Sequence, residues 1–115
     1  MRPHRELVER QVAREVALGV HRYDAARCQP ALGAAIEQLR RAALSVQLNI
    51  AEGFAISRSP RCRYHFRIAY GSAAETTDLL DFLMDVDRSN HTELIELANA
   101  SRRTQALTLR LWQES

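Results

Sequence analysis

A continuous apolar repeat across residues 32–54 most constrains what this chain can fold into. Its members alternate four and three positions apart: Leu32, Ile36, Leu39, Ala43, Val46, Ile50 and Phe54. This spacing puts one apolar stripe along a helix and is typical of near-parallel helix packing. The sequence therefore predicts a long helix that buries one face in a helical bundle.

Similar repeats recur on both sides of this segment, while glycine and proline are scarce and fall between them. This pattern predicts helices and no strand. Short connections between helices of similar length indicate antiparallel neighbours. We expect an all-α, up-down-up-down four-helix bundle in a single domain over residues 1–115, with helices at about residues 6–22, 31–56, 60–87 and 90–112.

Local signals mark the expected helix ends. The segment from Tyr23 to Pro30 is the predicted first connection. Ser59 is the expected N-cap of the third helix, and Asn90 with Glu93 forms the pattern of a capping box at the fourth. The third helix carries one apolar seam at Cys62, Phe66, Ala69, Ala73, Thr76, Leu80 and Leu83 and a second at Tyr64, Ile68, Leu79, Phe82 and Val86. The expected buried stripe of the fourth is Leu94, Leu97, Ala98, Leu107, Leu111 and Trp112.

Cysteine and histidine usage gives no metal or cofactor pattern. Cys28 and Cys62 form no C-x-x-C pair, and the four histidines are scattered. The predicted second helix separates the two cysteines by roughly 35 Å, which excludes a disulfide between them. The chain shows no signal peptide and no apolar run long enough to span a membrane, so we expect a cytoplasmic protein with reduced thiols.

Charge is distributed unevenly along the chain. All 16 basic residues are arginine; residues 1–70 hold 12 arginines and 6 acidic residues, whereas residues 71–115 hold 4 and 8. Such asymmetry fits a polyanionic partner at one end of the molecule. It equally fits helices that attract one another within a bundle.

The densest basic segment lies between the second and third helices, and no acidic residue interrupts it. Arginine side chains suit phosphate, and the interleaved aromatic residues can stack on exposed bases. One interpretation is an RNA-binding arginine rim; the other is that Arg67 pairs with Asn49 or Glu52 and only a small solvated tip remains. The arginine rim consists of Arg58, Arg61, Arg63 and Arg67.

A polar stripe follows one side of the second helix at Gln38, Arg41, Ser45, Asn49 and Glu52. Folding the chain back near residue 58 predicts three contacts with the third helix: Asn49 with Arg67, Ser45 with Gly71 and Ser72, and Arg41 with Glu75. Gly71 is expected to let the two backbones approach closely. The alternative, an active site of Ser45, Asn49 and Glu52, lacks an evident pairing of base and nucleophile.

Leu44 and Leu48 face away from the main apolar seam of the second helix. A helix that is apolar on two sides either lies centrally or packs against another subunit. In a bundle of four helices each helix keeps an outer face. We therefore expect these leucines to form an oligomer face.

Two linked motifs, QLRRAALSVQLNIAEG and AYGSAAE, resemble the 23S rRNA intervening-sequence protein family, also called the four helix bundle protein family. The first motif carries Gln38, Leu39, Arg40, Arg41, Ala42, Ser45, Asn49, Ile50, Ala51, Glu52 and Gly53, and the second carries Ala69, Gly71, Ser72 and Glu75.

The resemblance implies a four-helix bundle that commonly assembles as a homopentamer, and genes that lie inside ribosomal RNA insertions. A related branch accompanies reverse transcriptases and looks like an accessory that binds RNA and enzyme. The family has no established catalytic residues, so the resemblance implies a non-catalytic protein.

Two other functions stay open. One is an adaptor that binds a partner protein, such as a reverse transcriptase, without contacting RNA. The other is an RNase whose signature is Arg, four to six residues, then His, a spacing present at Arg58 and His65 and at Arg14 and His21. Because arginine is so frequent in this chain, such matches also arise by chance.

Overall fold

The computed structural model describes residues 3–26 and 29–115, with side chains for residues 6–23 and 29–115. This part of the chain contains four α-helices and no strand: α1 (Pro3–Ala26), α2 (Gly33–Ala55), α3 (Cys62–Val86) and α4 (His91–Glu114). Single 3₁₀ turns at Pro30–Leu32 and Arg88–Asn90 precede α2 and α4. The prediction of an all-α chain with four helices is confirmed for the described residues.

Helices that are consecutive in the chain pack against each other, and the last helix also packs against the first. α2 packs against α1 and α3, and α4 packs against α3 and α1, in a molecule of 45 × 23 × 20 Å. Between α2 and α3, Gln38 near the start of α2 meets Glu75 of α3, whereas Gly53 near the end of α2 meets Phe66 near the start of α3.

The core consists of two apolar clusters, each built from all four helices. One cluster includes Val20, Leu39, Leu83 and Leu94 near the α3–α4 connection. The other lies near the α2–α3 connection and contains Phe66, whose ring packs edge-on against Phe54 at 5.3 Å. Burial of these stripes removes apolar surface from water, which is the main stabilising term.

The predicted seam of α2 is buried except for Leu32, and the first predicted seam of α3 is buried throughout. The second seam of α3 differs from the prediction, because Tyr64, Phe82 and Val86 are about half exposed. Among the described helices, α3 packs mainly against α2 and α4. The side of α3 that carries Tyr64, Phe82 and Val86 therefore faces outwards.

Serine and threonine, rather than leucine, form the buried centre of α4. Ser101, Thr104 and Thr108 are buried, whereas Leu97 and Leu107 are only half buried. The hydroxyls of Thr104 and Thr108 donate to carbonyls of their own helix, and Ser101 shares a 2.8 Å hydrogen bond with Thr77 of α3. Hydroxyls satisfied in this way can be buried at little cost.

The helix ends differ in detail from the predictions. α1 continues past Tyr23, which is fully buried. Arg61 precedes α3 as its N-cap, and the Ser59 hydroxyl instead accepts a 3.2 Å hydrogen bond from the Arg61 amide. Asn90 is the N-cap of α4, but its amide donates to Asp87, so the predicted capping box does not form.

Cys62 is buried as a free thiol, and Cys28 lies outside the described residues. None of the described helices combines the length and the apolarity needed to cross a membrane. Within residues 3–26 and 29–115, no cluster of three or more histidine, cysteine, aspartate and glutamate residues has the arrangement of a metal site.

Candidate functional site

The polar stripe of α2 meets α3 through a connected set of side chains. The hydroxyls of Ser45 and Ser72 lie 2.9 Å apart, across the two helices. The Asn49 amide donates to the Ser45 carbonyl and hydroxyl at 2.9 and 3.2 Å. The expected approach of Ser45 to Ser72 is therefore present in the structure.

His65 completes this set, because it makes the contact with Asn49 that the sequence predicted for Arg67. Its Nδ1 lies 3.0 Å from Asn49 Oδ1 and 3.2 Å from Glu52 Oε2. Arg67 instead lies over the ring of Tyr64, with its guanidinium carbon 5.8 Å from the ring centre. The expected Asn49–Arg67 contact is thus replaced by one with a side chain two residues earlier.

Glu75 is bonded to Gln38, not to Arg41 as expected. The Gln38 amide donates to the Glu75 carboxylate at 2.5 Å. Three residues of an α-helix turn about 300°, so Arg41 lies about 60° around α2 from Gln38. That rotation takes Arg41 to the side of α2 that borders α1.

Gly53, not Gly71, is the glycine of this interface that leaves space for the opposite helix. A Cβ atom on Gly53 would overlap the ring of Phe66, whereas a Cβ on the exposed Gly71 would meet nothing within 4 Å. The absence of a side chain at Gly53 therefore makes room for the aromatic pair of the core.

The arginine rim divides into two kinds of side chain. Arg58 and Arg61 are exposed and make no ion pair or side-chain hydrogen bond within the described residues. Arg63 donates to the Trp112 carbonyl at 3.0 Å and lies over the Trp112 ring. A cation at the carboxyl end of α4 is favourable for the helix dipole, so Arg63 has a structural role.

Leu44 and Leu48 are half exposed and line a groove between α1 and α2. One part of the groove encloses about 410 Å³. Its lining includes Leu18, Arg14 and Arg41. We call this surface the α1–α2 groove; its principal members are Arg14, Leu18, Arg41, Leu44 and Leu48.

A buried carboxylate at the α3–α4 connection was not evident from the sequence. Asp87 accepts hydrogen bonds from Tyr23 at 2.6 Å, Ser89 at 2.7 Å and Asn90 at 3.0 Å. These donors, the Tyr23 hydroxyl first, lower the pKa of Asp87 from 3.8 to about 2. Asp87-x-x-Asn90 was the available signal, but nothing local indicated the distant tyrosine.

α3 carries its charges in the order opposite to that favoured by its dipole. Its first turns hold Arg63 and Arg67, and its last turns hold Asp78, Asp81 and Asp85. A helix favours anions near its first turn and cations near its last. Both ends of α3 therefore gain from a partner of opposite charge: an anion at the arginine rim and a cation at the acidic end.

The two Arg–His spacings differ in their surroundings. His65 is held by Asn49 and Glu52, and His21 Nδ1 lies 3.3 Å from an Arg40 guanidinium nitrogen. Arg14 and His21 both line the α1–α2 groove. Neither histidine is hydrogen-bonded to a serine, threonine or cysteine within the described residues.

Comparisons with known proteins agree with the motifs in α2 and α3. Neither the curated proteins nor the solved structures provide a match to this chain. The family model described as 23S rRNA-intervening sequence protein, by contrast, matches residues 5–110 and so covers both motifs and parts of all four helices. The chain belongs to the 23S rRNA-intervening sequence protein family.

Proposed function

We propose that residues 1–115 form one up-down-up-down four-helix bundle domain, which assembles into a homopentameric ring and binds RNA without catalysis. The end-to-start pairing of neighbouring helices supports the topology. The exposed Leu44 and Leu48 support self-assembly. The arginine rim supports RNA binding, and we propose that the protein acts in the cytoplasm.

The observation that carries the RNA proposal is that Arg58 and Arg61 lack internal partners and lie in a segment that contains no acidic residue. Arg10 and Arg102 are paired with acidic residues, whereas Arg14 and Arg41 are unpaired but have acidic residues close to them in the sequence. No acidic residue occurs between Glu52 and Glu75 to neutralise the rim. In a ring, each subunit repeats these charges, and the combined field attracts a polyanion.

A charge reversal at the two unpaired arginines tests this proposal. We expect Arg58→Glu with Arg61→Glu to weaken binding to single-stranded RNA by about tenfold or more at low salt, because phosphate contacts dominate such binding. The wild-type affinity is expected to fall steeply as salt rises. Fluorescence anisotropy with a labelled RNA measures both effects, and size-exclusion chromatography with light scattering checks that assembly is retained.

The matched control is Arg88→Glu with Arg103→Glu, which changes the net charge equally at exposed positions outside the rim. It should bind RNA within about threefold of the wild type. Equal losses in both double variants would mean that net charge, not the rim, attracts RNA. Arg63 is left unchanged because its substitution would also release the end of α4.

An adaptor function is the second candidate. Eight large apolar side chains are exposed on the described residues, more than one intersubunit contact needs: Leu7, Leu18, Leu44, Leu48, Tyr64, Phe82, Val86 and Ile95. A partner such as a reverse transcriptase would bind such a surface. No RNA binding at low salt, together with capture of one defined protein, would favour the adaptor.

An RNase activity has a separate test. Metal-independent RNA cleavage by the purified protein, abolished by His65→Ala, would contradict the non-catalytic proposal. His65→Ala also removes contacts to Asn49 and Glu52. The free energy of unfolding of that variant must therefore be measured beside its activity.

A further inference from the structure

The α1–α2 groove has a complementary surface elsewhere on the same chain. α3 presents an outward ridge in which Asp78, Phe82, Asp85 and Val86 are all exposed. Their spacing of four, seven and eight residues puts them on one side of the helix. We call these four residues the α3 ridge.

The two surfaces match in polarity. The groove combines half-exposed leucines with Arg14 and Arg41, and the ridge combines Phe82 and Val86, each 49% exposed, with two aspartates. Neither Arg14 nor Arg41 has an ion-pair partner within the described residues. The same holds for Asp78 and Asp85, so each surface carries the charges that the other lacks.

Neighbouring charges do not cancel this match. Arg40 and Glu37, at one end of the groove, pair with each other at 3.0 Å. Asp81, beside the ridge, is held by Arg102 at 2.8 Å. Glu15, at the other end, accepts a 3.4 Å hydrogen bond from Gln11. Glu15 keeps its negative charge, since glutamine is neutral, but Arg14 and Arg41 together outweigh it. The net charge left for an intermolecular contact is thus positive on the groove and negative on the ridge.

We infer that the α1–α2 groove binds the α3 ridge of a second copy of this chain. Binding buries Phe82 and Val86 against Leu44 and Leu48 and brings carboxylates to guanidinium groups. A groove-to-groove contact would instead oppose arginine to arginine. The inference rests on the self-assembly in the proposed function and names the surfaces that make it.

The contact is heterologous, because each copy offers a groove to one neighbour and a ridge to another. α1 and α3 are not packing neighbours, so the two surfaces lie on different sides of the bundle. Repetition of a heterologous contact gives a closed ring or an open filament, not a two-fold dimer. A ring leaves neither surface exposed.

Two variants and their mixture test the inference. The groove variant is Leu44→Gln with Leu48→Gln, and the ridge variant is Phe82→Gln with Val86→Gln. We expect the wild type to form one oligomer, each variant alone to be monomeric, and an equimolar mixture to form a one-to-one dimer through the remaining intact groove and ridge. Native mass spectrometry or light scattering measures these masses, and circular dichroism shows that each variant is folded.

The exposed Tyr64→Gln variant is the control, because it removes an apolar side chain outside both surfaces and should keep the wild-type mass. A ridge variant with the wild-type mass would overturn the inference, while self-assembly itself would stand. A mixture of monomers that does not dimerise would overturn it as well. A monomeric wild type would instead refute the self-assembly in the proposed function, and the inference with it.

Discussion

Asp87 links three separate parts of the chain through hydrogen bonds to its carboxylate. Its carboxylate holds Tyr23 of α1 and the side chains of Ser89 and Asn90 at the start of α4, while it directly follows α3. A buried carboxylate is costly unless donors surround it. Here three donors satisfy it, so the negative charge fixes how α1 meets the α3–α4 connection.

Removal of the Tyr23 hydroxyl should destabilise the protein. Tyr23→Phe leaves the buried carboxylate without its shortest hydrogen bond, and a hydrogen bond to a charged group contributes about 1.5–3 kcal/mol. We expect the free energy of unfolding at pH 7 to fall by that amount in urea denaturation. Tyr70→Phe is the control, because the Tyr70 hydroxyl has no hydrogen-bond partner within the described residues; an equal loss there would contradict the role given to Tyr23.

The lowered pKa of Asp87 predicts a specific dependence of stability on pH. Since the folded pKa is about 2 and the ordinary value is 3.8, the stabilisation is complete above about pH 4 and is lost as the pH falls towards 2. It amounts to about 2 kcal/mol. The difference in stability between wild type and Asp87→Asn should shrink by that amount between pH 5 and 2, and a constant difference would contradict the prediction.

Residue contacts between α2 and α3 were only partly predictable. The contact of Ser45 with Ser72 was predicted correctly. The partner of Glu75 is Gln38 and not the predicted Arg41, and the partner of Asn49 is His65 and not the predicted Arg67. Gln38 and Arg41 are about one turn apart and compete for the same neighbour, which a pattern of polar positions does not resolve. His65 and Arg67 are two residues apart and lie on different sides of α3, so there the side of α3 that faces Asn49 was predicted wrongly. Which residue makes the contact depends on how the connection at residues 56–61 rotates α3 relative to α2.

The buried face of a helix was predicted correctly where mainly apolar residues form it. The seam of α2 and the first seam of α3 follow this rule, with Leu80 and Leu83 fully buried and Thr76 as the polar member of the α3 seam. α4 does not, because Thr104 and Thr108 are buried with their hydroxyls bonded inside the helix. Polarity scales count such residues as exposed, so no apolar repeat marked them.

Glycine substitutions in α2 and α3 should have opposite effects. Gly53→Ala puts a methyl group into the Phe66 ring and should lower the free energy of unfolding by about 1–3 kcal/mol. Gly71→Ala meets open space and should raise it by about 0.5–1 kcal/mol, because alanine favours helix. Chemical denaturation of both variants measures the effect, and destabilisation by Gly71→Ala would show a close approach at that position.

At the scale of the whole molecule, the described exposed charges and apolar side chains form separate surfaces. The arginine rim lies at the α2–α3 end, the α1–α2 groove along one side, and the α3 ridge towards the α3–α4 end. The sequence indicated the rim and the two leucines of the groove. The arginines of the groove were not predicted, because they come from different helices.

Reversing the charges of the groove should abolish its binding to the ridge, and reversing those of the ridge as well should restore it. Arg14→Glu with Arg41→Glu should dissociate the oligomer, because four carboxylates then face one another. Adding Asp78→Arg and Asp85→Arg to the same chain restores opposite charges and should restore assembly. Analytical ultracentrifugation measures both outcomes; a quadruple variant that stays monomeric would mean that these four side chains do not meet across the interface.

The reversed charge order of α3 has opposite effects on the stability of one protomer and on the proposed contact between protomers. Exchange of Asp85 for a neutral residue relieves the carboxyl end of the helix, and it should make an isolated protomer harder to melt by about 0.3–1 kcal/mol. If the proposed contact between groove and ridge forms, the same exchange weakens it. Selection for thermal stability alone would then favour monomers, and the acidic end of α3 would be retained for assembly at the expense of the stability of each protomer.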